Sequence, residues 1–278
     1  MFGQTAFQRL HIARVRYFIP WNAMESPPAL AAAVAFVDRA HAQHIQVLLH
    51  LSTDNYASKQ AHLPSVAQYR NEVRSLVPYF RRLGVREFGT WNEANHASEP
   101  TYRSPTRAAQ FFRELYRAVK GTCRGCTVVA LDVLDQPGVA RYMRGFYRAL
   151  APTYRRRASI VGIHNYEDVN RQRTSGTAAI IKQGRAYNPR THFWLTETGG
   201  LVKFGSAFPC SQTRASHRLR NMFSIANRYR RDGLDRIYVY SWTGPGCTAR
   251  FDAGLTNPDG SVRPGYVYLR LKVRSYLR

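Results

Sequence analysis

At 278 residues, with 44% hydrophobic residues and a formal charge of +24, the chain is long enough to bury a large core, and its composition is not that of a disordered protein. No run of about 18 apolar residues occurs, so no transmembrane helix is encoded, and the absence of GxGxxG and P-loop patterns argues against the usual dinucleotide and nucleotide sites. Only five of the 41 basic residues are lysine. The arginines are spread along the chain with no zinc-finger, RNA-recognition or helix-turn-helix signature, which speaks against specific nucleic-acid binding. Two readings of the charge stay open: an arginine-rich solvated surface, and attraction to a polyanion such as an acidic polysaccharide.

In chain order, a short helix over 5–10 leads into a strand-like run at 13–19. Ser26-Pro27-Pro28 is a helix-start signal ahead of the apolar stretch 29–37. Strand-like runs follow at 45–49, 85–89, 127–131, 160–163, 191–195 and 236–240. Helical periodicity fills the intervals at 66–83, 106–119, 139–150, 175–186 and 214–232. Such alternation predicts parallel βαβ units with right-handed crossovers. Arg155-Arg156-Arg157 and Arg228-Tyr229-Arg230-Arg231 are placed at outer helix ends, where cations suit the dipole. No linker, repeat or low-complexity block divides the chain, so residues 1–278 are expected to form a single domain. The runs make seven strands, whereas a closed (β/α)8 TIM barrel has eight. The expected fold is therefore a TIM barrel lacking its first strand, which would precede Met1.

Cysteines stand at 123, 126, 210 and 247. A Cys-x-x-Cys pair can be a redox motif, half a zinc site or a small disulfide loop. Cys210 and Cys247 are too widely spaced to be the usual second zinc pair, and Cys123 follows a helix rather than opening one. Two disulfides, Cys123–Cys126 and Cys210–Cys247, are the preferred reading, with an extracytoplasmic, secreted or wall-associated setting. Residues Phe2-Gly3-Gln4 do not read as part of a signal peptide.

Two glutamates stand just past predicted strands: Glu93 in Phe88-Gly89-Thr90-Trp91-Asn92-Glu93-Ala94-Asn95-His96, and Glu197 in Phe193-Trp194-Leu195-Thr196-Glu197-Thr198-Gly199-Gly200. Counting a missing first strand, they end strands four and seven, and both open onto the C-terminal face of a barrel. Two carboxyl groups in one cleft, one protonated and one ionised, are what glycosidic bond cleavage requires.

Asn-Glu after strand four and a second Glu after strand seven resemble clan A of the glycoside hydrolases, the retaining (β/α)8 group. The two glutamate runs also resemble secreted actinobacterial glycosyl hydrolases distantly related to families 5 and 39. So do Val15-Arg16-Tyr17-Phe18-Ile19-Pro20-Trp21, His164-Asn165-Tyr166-Glu167-Asp168 and Arg250-Phe251-Asp252-Ala253-Gly254-Leu255. The resemblance covers nearly the whole chain, in order. It implies a monomeric retaining glycosidase acting on a β-linked, or stereochemically equivalent, poly- or oligosaccharide without metal or cofactor. Glu93 is the expected acid/base, with a raised pKa that falls on glycosylation, and Glu197 the expected nucleophile.

Asn92 is expected on the sugar 2-hydroxyl, Arg16 on Glu197, and Tyr166 orienting the nucleophile. Trp242 is expected as an aromatic platform, with Trp21 either a second platform or core. His164 lines the site or is a satisfied barrel histidine. His96, Asp132, Asp135, Asp168 and Arg171 are placed on C-terminal-face loops as subsite candidates. Rival readings are a catalytically silent barrel that binds an anionic glycan or wall polymer, and a nucleic-acid-binding protein.

Overall fold

A computed structural model describes residues 1–55 and 61–275. The elements run α1 (Thr5–Gln8), β1 (Arg14–Pro20), α2 (Pro27–His41), β2 (Gln46–Ser52), α3 (Val66–Arg82), β3 (Glu87–Gly89), α4 (Pro105–Thr122), β4 (Thr127–Val129) and β5 (Leu131–Leu134). They continue with α5 (Val139–Arg148), α6 (Pro152–Arg157), β6 (Ile160–His164), α7 (Tyr166–Arg171), α8 (Ser175–Tyr187), β7 (His192–Thr198), β8 (Lys203–Phe204), α9 (Gln212–Arg228), β9 (Leu234–Val239), β10 (Phe251–Asp252) and α10 (Pro264–Val273).

Strands β1 to β4 form one parallel ladder, and β5, β6, β7 and β9 a second. The predicted strand 127–131 is where they join. β4 pairs with β3 and β5 with β6, while the intervening Ala130 donates its N–H to Ile160. One physical strand thus serves both ladders, giving seven consecutive parallel barrel strands in the predicted order. Among the described residues β1 and β9 have no further strand neighbour. Both strands line a cavity of about 620 Å³, with Val15, Arg16 and Phe18 from β1 and Arg236, Tyr238 and Val239 from β9. The barrel is therefore not closed by hydrogen bonds, and the cavity lies in the gap in its wall rather than over the two glutamates.

Helix ends follow local chemistry. Ser65 and Gln68 make a reciprocal capping box on α3, and Ser104 and Ser211 cap α4 and α9. The basic run Arg155–Arg157 closes α6 at its C-terminus, as the dipole favours. Helices α6, α7 and α10 and the β8–β10 pair were not expected from periodicity; α6 and α7 are six residues each, too short for a 3.6-residue repeat to register.

Alternation along the strands stacks the barrel interior in layers. At the N-terminal end, Arg236 Nη1 lies 2.8 Å from both Glu87 oxygens, and its guanidinium sits 3.6 Å from the centre of the Trp194 ring. Leu48, Val129, Trp194 and Tyr238 form an apolar middle layer. Above it lies a polar layer, and glycines on neighbouring strands clear its space. A Cβ on Gly89 would stand 2.4 Å from the His50 ring, and one on Gly162 would stand 2.2 Å from Asp132 Oδ1.

Candidate active site

Glu93 sits one turn past β3 with φ of +43°, a left-handed backbone that costs a residue with a Cβ and must be held by its surroundings. Asn92 N–H donates to Leu51 O and Ala94 N–H to Asp132 O, tying the loop to two neighbouring strands. Trp91, fully buried, stacks on Phe111, which stacks on Tyr69, and its Nε1 donates to Glu99 at 2.9 Å. Burial lifts the Glu99 carboxyl to about 8 despite that hydrogen bond. The aromatic stack and the two backbone bonds hold Glu93 over the barrel mouth.

Glu197 lies inside the C-terminal part of β7 rather than beyond it. Its Oε2 accepts from Arg16 Nη1 at 3.0 Å and its Oε1 from the Tyr166 hydroxyl at 2.9 Å. Burial raises the Glu197 pKa; His164 and Arg16 pull it back, Glu93 adds to the rise, and the net direction is upward. Tyr166 is held by Phe251 edge-on at 5.6 Å. The strand end bearing Phe251 is anchored by the buried Asp252–Arg263 pair, at 2.7 and 2.9 Å. This accounts structurally for the Arg250–Leu255 run.

His164, fully buried, donates or accepts at 2.9 Å between its Nδ1 and Glu93 Oε1. Its Nε2 stands 3.1 Å from Asp132 Oδ2, an ion-pair contact without hydrogen-bond alignment. Burial alone would favour the neutral ring, yet Asp132 and then Glu197 lift its pKa to about 10. His50, also buried, goes the other way: burial, joined by the Arg16 and His164 cations, lowers it to about 3 against the pull of Asp132. A Glu93 oxygen, a His164 nitrogen and a Glu197 oxygen all lie within 4.8 Å of one another. Those three could offer ligand atoms to an ion while His164 is neutral; once protonated, its ring presents protons rather than lone pairs.

The other expected site residues fall into two groups. Asn92 is in the cluster, but its Oδ1 accepts from Arg16 Nη2 at 2.5 Å, so this oxygen is already engaged. His96 is half-exposed, 3.8 Å from Glu93 Oε2 and 2.6 Å from Ser98 Oγ. Trp21 is a core residue among the apolar side chains beside α2, with its Nε1 lacking a hydrogen-bond partner among the described residues. Trp242 packs edge-on against Phe7 at 5.2 Å and Tyr266 at 6.0 Å, and its indole N–H donates to Gln4. The ring is thus packed against the N-terminal segment and α10.

Of the three aspartates expected on loops, Asp135 lies on one just past β5, whereas Asp168 lies in α7. Asp132 is not on a loop: it lies in β5, fully buried, facing Arg16, His50, His164 and Thr196. Asp135 accepts from the Glu167 and Asp168 amides, and Asp168 from those of Gly176 and Thr177, so both tie the starts of α7 and α8. Arg171 pairs with Glu167 on the surface. Periodicity could not separate these aspartates, because Asp132 alternates with apolar Leu131 and Val133 in a pattern equally compatible with a strand end. The polar layer residues His50 and Thr196, and the nearby Tyr240, were not anticipated; their only sequence signal is polarity inside an apolar strand.

Cys123–Cys126 and Cys210–Cys247 are both disulfide-bonded, with Cα separations of 5.3 and 5.6 Å. No helix among the described residues is long and apolar enough to cross a membrane.

No protein-family model matches the chain, and no curated protein does. Solved structures do match over almost its whole length. A β-glucosidase aligns with 99% of the chain and 87% of its own, at 13% identity and a TM-score of 0.69. A glucosidase from Croceicoccus marinus aligns over 98% of the chain at 15% identity and a TM-score of 0.73. A family 39 glycoside hydrolase from Bacteroides cellulosilyticus WH2 does so over 98%, at 15% identity and 0.63. The chain spans 62% and 60% of the lengths of these last two. At such identities the likeness establishes the fold, a TIM barrel of the kind found in glycoside hydrolases.

Proposed function

We propose that the chain is a retaining glycosidase that cleaves β-linked O-glycosidic bonds by double displacement. The observation that carries this is the convergence of Glu93 and Glu197, from β3 and β7, to within 4.8 Å between carboxylate oxygens. Retaining enzymes place their carboxyls about 5–5.5 Å apart, whereas inverting ones leave about 6.5–9.5 Å for a water. The two groups also sit in unlike surroundings, as opposite roles demand.

In the first half-reaction Glu197 attacks the anomeric carbon, and the bond to the leaving oxygen breaks as that oxygen takes the Glu93 proton. The resulting glycosyl ester is hydrolysed when Glu93, now a carboxylate, takes a proton from water, and that water's oxygen displaces Glu197. Arg16 and Tyr166 hold the nucleophile's two oxygens so that little reorganisation remains at attack. The reaction supplies its own proton balance: one leaves Glu93 in the first step and one returns in the second.

The fold neighbours described as β-glucosidase and family 39 hydrolase support a carbohydrate substrate. The net charge of +24 favours an acidic one, and two disulfides favour an extracytoplasmic setting. The chain is proposed to act as one catalytic domain and as a monomer.

A panel of aryl β-glycosides and acidic oligosaccharides tests the reading. Glu93→Gln and Glu197→Gln are each expected to lower kcat by about 10²–10⁴-fold or more, and a 2-fluoro sugar should leave a covalent adduct on Glu197. Binding of acidic glycans by a wild-type protein that turns over none of the panel would instead support the silent barrel.

A further inference from the structure

Beneath the two glutamates lies a carboxylate that touches neither of them nor the cleft. Asp132 is fully buried, and four side chains converge on it. Arg16 Nη2 stands 3.0 Å, His164 Nε2 3.1 Å and His50 Nε2 3.4 Å from Oδ2, and the Thr196 hydroxyl donates to Oδ1 at 2.5 Å. Gly162 clears its place, since any Cβ there would overlap both Oδ1 and the Thr196 hydroxyl.

The consequence lies on the far side of the His164 ring. One ring nitrogen faces Asp132 and the other faces Glu93 Oε1 at 2.9 Å. A neutral imidazole has a proton on only one nitrogen. A lone pair turned towards Asp132 would repel it, and a lone pair turned towards Glu93 would take that carboxyl's proton.

We propose that Asp132 is a positioning residue that, through a doubly protonated His164, directs the acid proton of Glu93 onto Oε2. This rests on the retaining-glycosidase reading. With His164 donating to Oε1, that oxygen is an acceptor, and the carboxyl proton occupies Oε2, which stands 3.8 Å from the ring of the half-exposed His96. Charge balance points the same way. With Glu93 protonated and His50 neutral, Arg16 and His164 offset Asp132 and Glu197. Tyr166 donates to Glu197 without adding charge. Remove the Asp132 charge and the buried cluster is left with one excess cation, which low-dielectric surroundings penalise. The Glu93–His164 pair then sheds one proton, and the one that remains is drawn to the His164 Nδ1 lone pair instead of being held for the leaving oxygen.

Two measurements test this. In the wild-type protein, ¹⁵N NMR of the His164 ring, assigned with His164→Gln, is expected to show both nitrogens protonated at pH 8. A neutral ring there would overturn the proposal whatever the enzyme's activity. In Asp132→Asn, the loss is expected to fall on the proton-dependent step. Hydrolysis of phenyl β-glycosides, whose leaving group needs a proton, should fall about 10²-fold or more, while 2,4-dinitrophenyl β-glycosides, which need none, should fall less than about 10-fold. Equal losses on both substrates would reduce Asp132 to a structural role. If the wild type cleaves neither, the glycosidase reading fails, and the NMR result still decides the state of His164. If Asp132→Asn does not fold, the wild-type NMR measurement remains decisive.

Discussion

Replacing Arg16 by lysine probes the electrostatics of the nucleophile without removing its positive partner. The guanidinium spans two carboxylates at once, with Nη1 3.0 Å from Glu197 and Nη2 3.0 Å from Asp132, and also reaches Asn92 and His50. An ammonium is a single point and cannot hold both ends of that fork. Asp132 is the more deeply buried anion, with its side chain wholly inaccessible against 11% exposure for Glu197, so the lysine should stay with Asp132 and withdraw from Glu197. Moving one charge from about 4 to about 6 Å at an effective dielectric near 20 reduces the attraction from about 4 to about 3 kcal/mol. The loss is just over 1 kcal/mol, or about one pKa unit. Arg16 lowers the Glu197 pKa, so its retreat raises it, and the carboxylate forms only at higher pH. The acid limb of kcat/KM against pH is therefore expected to move up by about one unit, with a smaller effect on the plateau. An unmoved or downward-shifted limb in a folded Arg16→Lys protein would refute the assignment of Arg16 as the group that favours ionised Glu197.

Two further expectations concern the barrel itself. Arg236→Met removes the partner of Glu87 at the N-terminal end and leaves that carboxylate with Arg14 at 3.9 Å and the Tyr238 hydroxyl at 3.4 Å. Because Arg236 keeps 22% exposure, the cost is put at about 2–3 kcal/mol, below the usual range for breaking a fully buried pair. Urea unfolding should show most of it recovered in Glu87→Gln/Arg236→Met, and equal losses in single and double variants would remove the pair from the account. Gly89→Ala places a methyl 2.4 Å from the fully buried His50 ring. Overpacking of this kind costs about 1–3 kcal/mol, a fall in Tm of about 3–10 °C for a chain of this size, and an unchanged Tm would mean that the polar layer is looser than its distances imply.

Residue pattern alone located much of this molecule. The apolar runs mark all seven barrel strands, because each is bounded by polar turns and separated by segments of helical period. The two glutamates stood out because each follows such a run in a polar and aromatic stretch, whereas Arg16, Tyr166 and His164 were singled out through the resemblance to clan A glycoside hydrolases. The count of seven strands is likewise a property of the linear sequence, and the gap between β1 and β9 is its spatial counterpart.

What a sequence cannot carry is which residues of distant strands face one another. Asp132 reads as a loop acid until the pairing of β5 with β6 turns it inward, 116 residues away in sequence from its partner Arg16. Trp242 meets Phe7 of α1 and Tyr266 of α10, contacts that no local pattern announces. Glu87 and Arg236 are 149 residues apart and become a pair only across the barrel axis. Hydrophobic period specifies which side of a strand is buried, and so the local elements and the strand ends that bear Glu93 and Glu197 follow from sequence. Protonation, ion pairing and the choice of oxygen on each carboxyl depend on through-space distances of a few ångströms in a low dielectric, and only the closed-up arrangement of the strands decides those.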